Sequence, residues 1–249
     1  MKIVPLNALS PTALPTCDAP AMDRRWTGLA PSVSHVESGQ ISRISGLGAK
    51  RVLDLVGATV GLILLSPIMA VIAFLIRYDS QGPALFRQRR LGRRGQPFWI
   101  YKFRTMRADA ELHLSELEAI NESAHGVLFK LRDDPRVTRL GHFLRRTNFD
   151  ELPQLWNVLR GEMSLVGPRP FQMRDSERLR ALDPAAFTQR LEFLPGLTGA
   201  WQVGRISSTD SEHLLEFDLD YVQNWSLKRD MRIMYRTVFI LIAGFLAKD

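Results

Sequence analysis

Residues Leu55 to Ile76 read LVGATVGLILLSPIMAVIAFLI, 22 consecutive positions without a charged side chain. About 20 apolar residues in a helix reach across the hydrocarbon core of a bilayer. Soluble core helices rarely run so long without a polar face, so this segment is expected to contact a membrane. Its flanks are basic on both sides, with Lys50 and Arg51 before it and Arg77 after it. Counting positive charges therefore does not orient it. Ser66-Pro67 falls in its middle. Pro67 has no N–H and its ring crowds the carbonyl four residues back, so the helix is expected to kink or break there. The Ser66 hydroxyl can bond a preceding carbonyl and satisfy part of what the proline frees. Two shapes stay open on these grounds. One is a kinked spanning helix. The other is a hairpin of two half-helices of about 11 residues, each about 16 Å long, that enters and leaves on one face.

The remaining residues must then fold beside that membrane. The chain has 249 residues, 45% of them apolar, enough for a sizeable core. A formal net charge of +7 and a pI near 10 point to an anionic partner: nucleic acid, phospholipid headgroups or a phosphorylated substrate. Cys17 is the only cysteine, which excludes an intrachain disulfide framework and fits a reducing compartment. Residues 1–48 are rich in Ser, Pro, Gly and Ala without helical or strand period, and are expected to be a flexible arm. The first residues lack an apolar stretch of signal-peptide length. No repeat at solenoid periods is present.

After the apolar segment, FRQRRLGRRGQPFWIYKFRTMR (86–107) carries eight Lys or Arg and no acid. Gly92 and Gly95-Gln96-Pro97 predict a turn between two short strands, the second ending in the apolar alternation of Phe98 to Phe103. Residues 108–125 are expected to be helical, and Asp133-Asp134-Pro135 to start another helix. VTRLGHFLRR follows, apolar on one side and basic on the other. Such a helix suits an anionic bilayer surface, and equally an ordinary surface. LPGLTGAWQVGR (194–205) reads as a Gly-rich turn region, followed by a helix near 210–225. The last apolar run, Val238–Ala247, is too short to span and is expected to pack on the domain or lie at the interface.

TNFDELPQLWNVLRGEMSLVGPRP (147–170) sets two adjacent carboxylates, Asp150 and Glu151, among arginines. The plain reading is a helix start, since acids complement a helix N-terminus and proline is tolerated in the first turn. The chemical reading uses the charge. Asp150 is ionised at neutral pH without help, so it can act as a nucleophile with no general base. Its obstacle is an anionic diphosphate, since two unit charges 4 Å apart repel by about 4 kcal/mol at an effective dielectric of 20. A divalent cation and guanidinium groups offset that. Glu151 offers the metal a hard oxygen, and Arg145 or Arg169 can grip phosphates bidentately. An acid beside bases is what phosphoryl transfer at a metal-bound diphosphate needs. In Gly167-Pro168-Arg169-Pro170 the two prolines stiffen the loop around Arg169, which is otherwise a surface turn. No HExxH, CxxC pair, GxSxG or Walker sequence is present, and the five histidines show no metal spacing.

These residues together make the chain resemble the bacterial sugar transferases, the monotopic phosphoglycosyl transferases that start glycan assembly. The stretches that carry the likeness are KRVLDLVGA (50–58), Ser66-Pro67, GPALFRQRRLGRRGQPFWIYKFRTM (82–106), DDPRVTRLGHFLRRTNFDELPQLWNVLRGEMSLVGPRP (133–170) and PGLTG (195–199) with WQV after it. The length resembles the short, exopolysaccharide-initiating members. The resemblance implies an α+β, mostly helical fold. It comprises an arm (1–48), a re-entrant membrane helix hairpin (49–78) and a cytosolic catalytic domain (79–249) with amphipathic interfacial helices and a small β-hairpin. It implies transfer of a sugar-1-phosphate from a UDP-sugar to undecaprenyl phosphate, with release of UMP. By the same likeness Asp150 forms a phosphosugar–aspartyl intermediate and Glu151 helps bind Mg²⁺. Lys102, Arg104, Arg145, Arg169, Gln202 and Arg205 would contact substrate, and Ser66-Pro67 would break the membrane helix. Asp230 matches a family acidic position less closely. The partners implied are UDP-glucose or UDP-galactose, undecaprenyl phosphate and inner-membrane lipids, with no nucleic acid and a homo-oligomer allowed. The location implied is the cytoplasmic face of a bacterial inner membrane.

Some residues depart from the family pattern. His142 stands where arginine is usual and Glu162 where aspartate is, and WQVGRISS lacks a residue between Val and Gly, which leaves the register of Arg205 open. Two other classes compete. A membrane-tethered nucleic-acid-binding protein would use the basic run 86–107 with Phe86, Phe98, Trp99, Tyr101 and Phe103 as stacking surfaces. An inactive assembly scaffold would leave the acidic pair without chemistry.

Overall fold

The computed structural model describes residues 39–107, 109–110, 131, 134–204 and 211–246. Most of the arm with Cys17, the helix expected at 108–125, and Arg205 lie outside them.

One helix dominates. α1 runs Gly39–Asp79, beginning upstream of the expected boundary at residue 49 and continuing through Pro67 with no turn between its halves. Ser66 Oγ donates to the Ile63 carbonyl at 2.9 Å, the acceptor that the missing N–H of Pro67 leaves free. This is why a helix interior tolerates the proline. One stripe of α1 is covered by the rest of the chain: Lys50, Asp54, Ala58, Ile72 and Ile76 are buried, with Leu62, Leu65 and Met69 bridging them. Residues three and four apart share a helix face, so the contact follows α1 from Lys50 to Ile76. The opposite side is apolar and bare, with Ile63, Leu64 and Phe74 each about 70% exposed. A soluble protein does not leave such a face in water. Among the described residues α1 is the only helix long and apolar enough to cross a membrane.

β1 (Leu85–Leu91) and β2 (Pro97–Phe103) form the expected antiparallel hairpin, with Leu85 opposite Phe103 and Leu91 opposite Pro97. The turn uses positive φ at Arg94 and Gly95. Period-2 alternation sends Arg90, Phe98, Ile100 and Lys102 to one face. Arg87, Arg89, Trp99 and Tyr101 take the other, where both guanidiniums lie over the Trp99 ring.

The next helix starts later than expected. Asp134 folds back on Arg136, accepting from its backbone N–H and its guanidinium, and makes a turn instead of a first helical turn. α2 is Arg139–Thr147, with Thr138 Oγ1 capping the Gly141 N–H. It has the expected buried side (Gly141, Leu144) and basic side. Asn148 ends α2 in the left-handed conformation. Phe149–Glu151 forms one 3₁₀ turn, and α3 (Gln154–Arg160) follows from Pro153.

Residues 194–204 are more ordered than a turn region. β3 (Ser164–Val166) pairs in parallel with β4 (Gly196–Thr198), and α6 (Ala200–Gly204) starts directly after. Between them the chain forms α4 (Met173–Leu182) and α5 (Pro184–Arg190). Glycine makes the β3–β4 contact feasible: a Cβ on Gly196 would sit 2.1 Å from the Gly167 nitrogen. α4, α5 and α7 (Ser211–Gln223) enclose one apolar cluster with Leu91, Phe171, Phe187 and Leu214. α8 (Leu227–Leu246) packs Ile233 against Tyr221 and Val166, and exposes Met231, Tyr235, Val238, Phe239 and Ile242 along one stripe. The described architecture is mostly helical with two small sheets, within the expected class.

Candidate active site

The 3₁₀ turn of Asp150 and Glu151 is wedged between α2, α3 and the inner face of the hairpin. Asn157 of α3 fixes the spacing to β2: its amide donates to the Trp99 carbonyl at 2.6 Å and accepts from the Tyr101 N–H at 3.1 Å. Glu162 takes the second amide hydrogen at 2.7 Å, so glutamate serves this position well. Lys102, one residue beyond Tyr101, therefore meets the turn at a set distance. Its Nζ lies 2.6 Å from Glu151 Oε1 and 3.8 Å from Asp150 Oδ2.

Arg169 approaches Glu151 Oε1 from the other side at 3.1 Å. Its loop is clamped at each carbonyl. Pro168 O accepts from the Gly196 N–H at 2.9 Å, Arg169 O from Arg190 Nη2 at 2.5 Å, and Pro170 O from Arg90 Nη1 at 3.1 Å. Arg190 is itself buried against Asp218 and lies over the Phe171 ring. Upstream, Val166 O accepts from Lys50 Nζ at 2.8 Å and from the Tyr221 hydroxyl at 3.2 Å. Asp230 joins these donors, accepting from Lys50, Tyr221 and Trp225. Asp230 thus belongs to a buried clasp between α1, α8 and the end of β3. It does not line the cleft described next.

The two carboxylates differ in their surroundings. Burial would raise the Glu151 pKa, but Lys102 and Arg169 overcome it and hold the group down to about 2. Burial raises the Asp150 pKa above the usual aspartate value; Lys102 opposes this and the neighbouring Glu151 charge adds to it. Glu151 is charge-locked by two cations at 2.6 and 3.1 Å, whereas Asp150 meets Lys102 only at 3.8 Å. Such divergence separates roles in a carboxylate pair.

Beside the turn lies a small open cleft, walled by Arg90, Lys102, Glu151, Gln154 and Arg169 with Ile100 and Leu197. Asp150 is not among its lining residues. Arg145 of α2 does not line the cleft but lies within electrostatic reach of Asp150, with Nε donating to Thr105 Oγ1 at 2.9 Å. Arg104 goes elsewhere. It is buried, and its guanidinium holds the Ser80 and Gln81 carbonyls and Ser80 Oγ at 2.6–2.9 Å, tying down the loop that follows α1. Gln202 lies on α6, away from the cleft lining, with both amide atoms buried and unpaired. Arg90 and Gln154, which do line the cleft, carried no distinguishing sequence signal: one is lost in a run of eight basic residues, the other in an ordinary helix start.

A divalent cation suits this donor set. Both ion pairs of Glu151 fall on Oε1, leaving Oε2 for a metal. No group of three or more His, Cys, Asp or Glu forms among the described residues. Mg²⁺ commonly takes only one or two carboxylates and completes its shell with substrate phosphates and water.

Lys102 and Arg169 thus bracket a carboxylate pair on a domain that packs along one long apolar helix. The bacterial sugar transferase family model matches residues 45–244, and the chain belongs to that family. It is 42% identical over 207 residues to galactosyl transferase CpsE of Streptococcus agalactiae serotype III (strain NEM316), covering 83% of this chain and 45% of that protein. Exopolysaccharide production protein ExoY of Rhizobium meliloti (strain 1021) is 41% identical over 205 residues, 81% of this chain and 88% of ExoY. The UDP-glucose:undecaprenyl-phosphate glucose-1-phosphate transferase of Escherichia coli (strain K12) is 41% identical over 204 residues, 80% of this chain and 40% of that protein. The chain thus spans less than half of two of these relatives and most of the third. The nucleic-acid reading is not favoured, since the family match and these relatives are sugar transferases.

Proposed function

We propose that the chain transfers a sugar-1-phosphate from a UDP-sugar to undecaprenyl phosphate, as the initiating step of exopolysaccharide or glycan synthesis. UDP-glucose and UDP-galactose are the donors to try first. The observation that carries the reading is the unequal pair, with Glu151 held tightly by Lys102 and Arg169 and Asp150 held only loosely, by Lys102 at 3.8 Å.

An Asp150 carboxylate oxygen attacks the phosphorus that bears the sugar. The bond from that phosphorus to the bridging oxygen breaks, and UMP leaves with the electron pair. A phosphate oxygen of the lipid then attacks the same phosphorus, releasing Asp150 and forming the polyprenyl diphosphate sugar. Partial desolvation of Asp150 favours attack, since a carboxylate stripped of water is the stronger nucleophile. Lys102, Arg169 and Arg145 offset the repulsion between carboxylate and diphosphate. Glu151, through Oε2, would hold Mg²⁺, which supplies further charge neutralisation at the phosphates.

The reading places α1 in the cytoplasmic leaflet of a bacterial inner membrane as a re-entrant helix bent at Ser66-Pro67. The support is that the domain packs on α1 from Lys50 to Ile76, so both halves stay on the same body. The bare apolar stripe of α8 would lie in the same interface, with Arg232 and Arg236, both exposed, near the headgroups.

The test is the intact mass of purified protein with Mg²⁺ and each candidate UDP-sugar, without lipid. The expected result is a sugar-phosphate adduct with matching UMP release, absent in Asp150→Asn. Product only after lipid phosphate is added would point to direct transfer and remove the covalent step; no reaction with any donor would favour the scaffold. Topology is tested separately at Cys17, where labelling by an impermeant maleimide from outside intact spheroplasts would show a spanning helix.

A further inference from the structure

The cleft floor holds two donors that the reaction scheme does not use. Arg90 Nε and Gln154 Nε2 are both buried without a protein acceptor. Gln154 is 2% exposed, and both residues line the same cleft as Lys102 and Arg169. A buried donor left unpaired destabilises a fold unless something else accepts from it. The only carboxylate lining the cleft is Glu151, and its Oε1 is already bonded to Lys102 and Arg169. Three cations and one carboxylate line the cleft, with Asp175 outside the lining but within electrostatic reach of Arg90, so the lining itself carries a surplus of positive charge. Burial and the like charge of Arg169 together lower the Arg90 pKa to about 10, a sign that the two guanidiniums are held close. A ligand that only accepts hydrogen bonds, carries negative charge and fits between cations is a phosphoryl group.

We propose that Arg90 Nε and Gln154 Nε2 form a phosphoryl-oxygen subsite in the cleft that Lys102, Glu151 and Arg169 also line. This rests on the reading of the chain as a sugar-phosphate transferase. The phosphoryl oxygens come either from the diphosphate of the nucleotide sugar or from the lipid phosphate. Arg90 serves twice, since Nη1 also fixes the Pro170 carbonyl and hence the loop of Arg169.

The probes are inorganic pyrophosphate and UDP, titrated calorimetrically against the full chain in detergent. The variants are Gln154→Leu, which removes the unpaired donor, and Arg90→Lys, which keeps the charge and loses Nε. Arg93→Ala is the control, an exposed arginine on the same hairpin. Gln154→Leu breaks no protein hydrogen bond of Nε2, so its unliganded melting temperature is expected within about 2 °C of the parent. Pyrophosphate binding is expected to weaken at least about tenfold in both variants and not in the control. Adduct formation from UDP-sugar alone, then chase with polyprenyl phosphate, assigns the source. A slow first step places the donor diphosphate on the floor, and a slow chase alone places the lipid phosphate there. Parental pyrophosphate binding and parental rates in both steps, in either variant, would overturn the subsite while leaving the transferase reading intact. A parent chain that binds neither probe and forms no adduct would overturn both.

Discussion

Removing the charge of Asp230 should loosen the membrane helix and the catalytic loop together. Asp230 Oδ2 sits 2.7 Å from Lys50 Nζ, and the two side chains are 3% and 9% exposed. Lys50 also donates to Val166 O, and Val166 precedes the Gly167-Pro168-Arg169 loop. Asp230→Asn keeps the shape and leaves the buried Lys50 ammonium without its hydrogen-bonded counter-charge, with only Asp54 in electrostatic reach. Breaking a buried pair in this way costs about 3–5 kcal/mol. For a chain of this size that lowers the melting temperature by roughly 6–20 °C. Lys50→Met is expected to cost less, because the Tyr221 hydroxyl and the Trp225 N–H still serve the remaining carboxylate. The double variant removes both partners of this pair, leaving Asp54 with Arg51 as its nearby cation, so its loss should fall short of the sum of the singles by about 0.5–3 kcal/mol. The assay is thermal unfolding in detergent of all four proteins, with the single-turnover rate of adduct formation measured below each midpoint. Single variants should also lose rate, because Val166 O loses or weakens its hold. The reasoning fails if Asp230→Asn unfolds within a degree or two of the parent, or if the two losses simply add.

Lys102→Met removes the cation that most opposes the raised Asp150 pKa, so the acid limb of adduct formation should move to higher pH and Lys102→Arg should restore it; a uniform loss of rate with an unmoved limb would restrict Lys102 to substrate binding. Glu151 has a folded pKa depressed to about 2 from 4.5, so its contribution to stability is full above pH 4.5 and is lost as pH falls toward 2. Glu151→Gln should flatten that part of the stability–pH curve, read by chemical denaturation at each pH. Asp150 acts in the opposite sense: its raised pKa opposes folding while it is ionised, and Asp150→Asn should leave the chain at least as stable at neutral pH. Gly196→Ala places a Cβ 2.1 Å from the Gly167 nitrogen and 2.3 Å from Thr198 O, backbone atoms that cannot yield, so folded protein should be lost. Gly48→Ala meets nothing within 4 Å and should be neutral or stabilising by up to about 1 kcal/mol; comparing the yields and melting temperatures of the two tests the β3–β4 contact.

What could be read from the sequence was what depends on local chemistry. Pro67 with Ser66, the turn at Gly92–Pro97 and the one-sided apolar pattern of 137–146 announce themselves through neighbours in the chain. The acidic pair did so by residue type alone. The β3–β4 pairing did not, because three-residue strands carry no period, and what decides it is close packing between glycines 29 positions apart. Asp134-Pro135 has the composition of a helix start, yet the contact that decides its shape is Asp134 with Arg136, and the helix waits until Arg139. Arg104 shows the same limit for the site. Its sequence context in KFRTM is shared with Lys102, but the chain bends after Phe103, so Lys102 meets Glu151 and Arg104 meets Ser80 and Gln81. Charge was legible; where the guanidinium points was not.

The arginines around the acidic pair divide into those that face the reacting group and those that build the wall behind it. Arg169 and Lys102 hold Glu151, and Arg145 faces Asp150. Arg90 and Arg190 hold the carbonyls on which Arg169 depends. Arg51 of α1 closes the end of α3, donating to the Val158 and Leu159 carbonyls at 2.7 and 3.0 Å. Asp54 of α1 accepts from Ser164 Oγ and the Leu165 N–H at the start of β3. The apolar helix is therefore more than an anchor. Three of its charged residues, Lys50, Arg51 and Asp54, hold the two segments that flank the reactive turn and its arginine loop. A change in how α1 sits in lipid would reach Asp150 through α3 and Arg169 through β3, each by direct hydrogen bonds. If the proposed transfer holds, such coupling would let the seating of α1 set the position of the cleft at the surface where nucleotide and lipid phosphate meet.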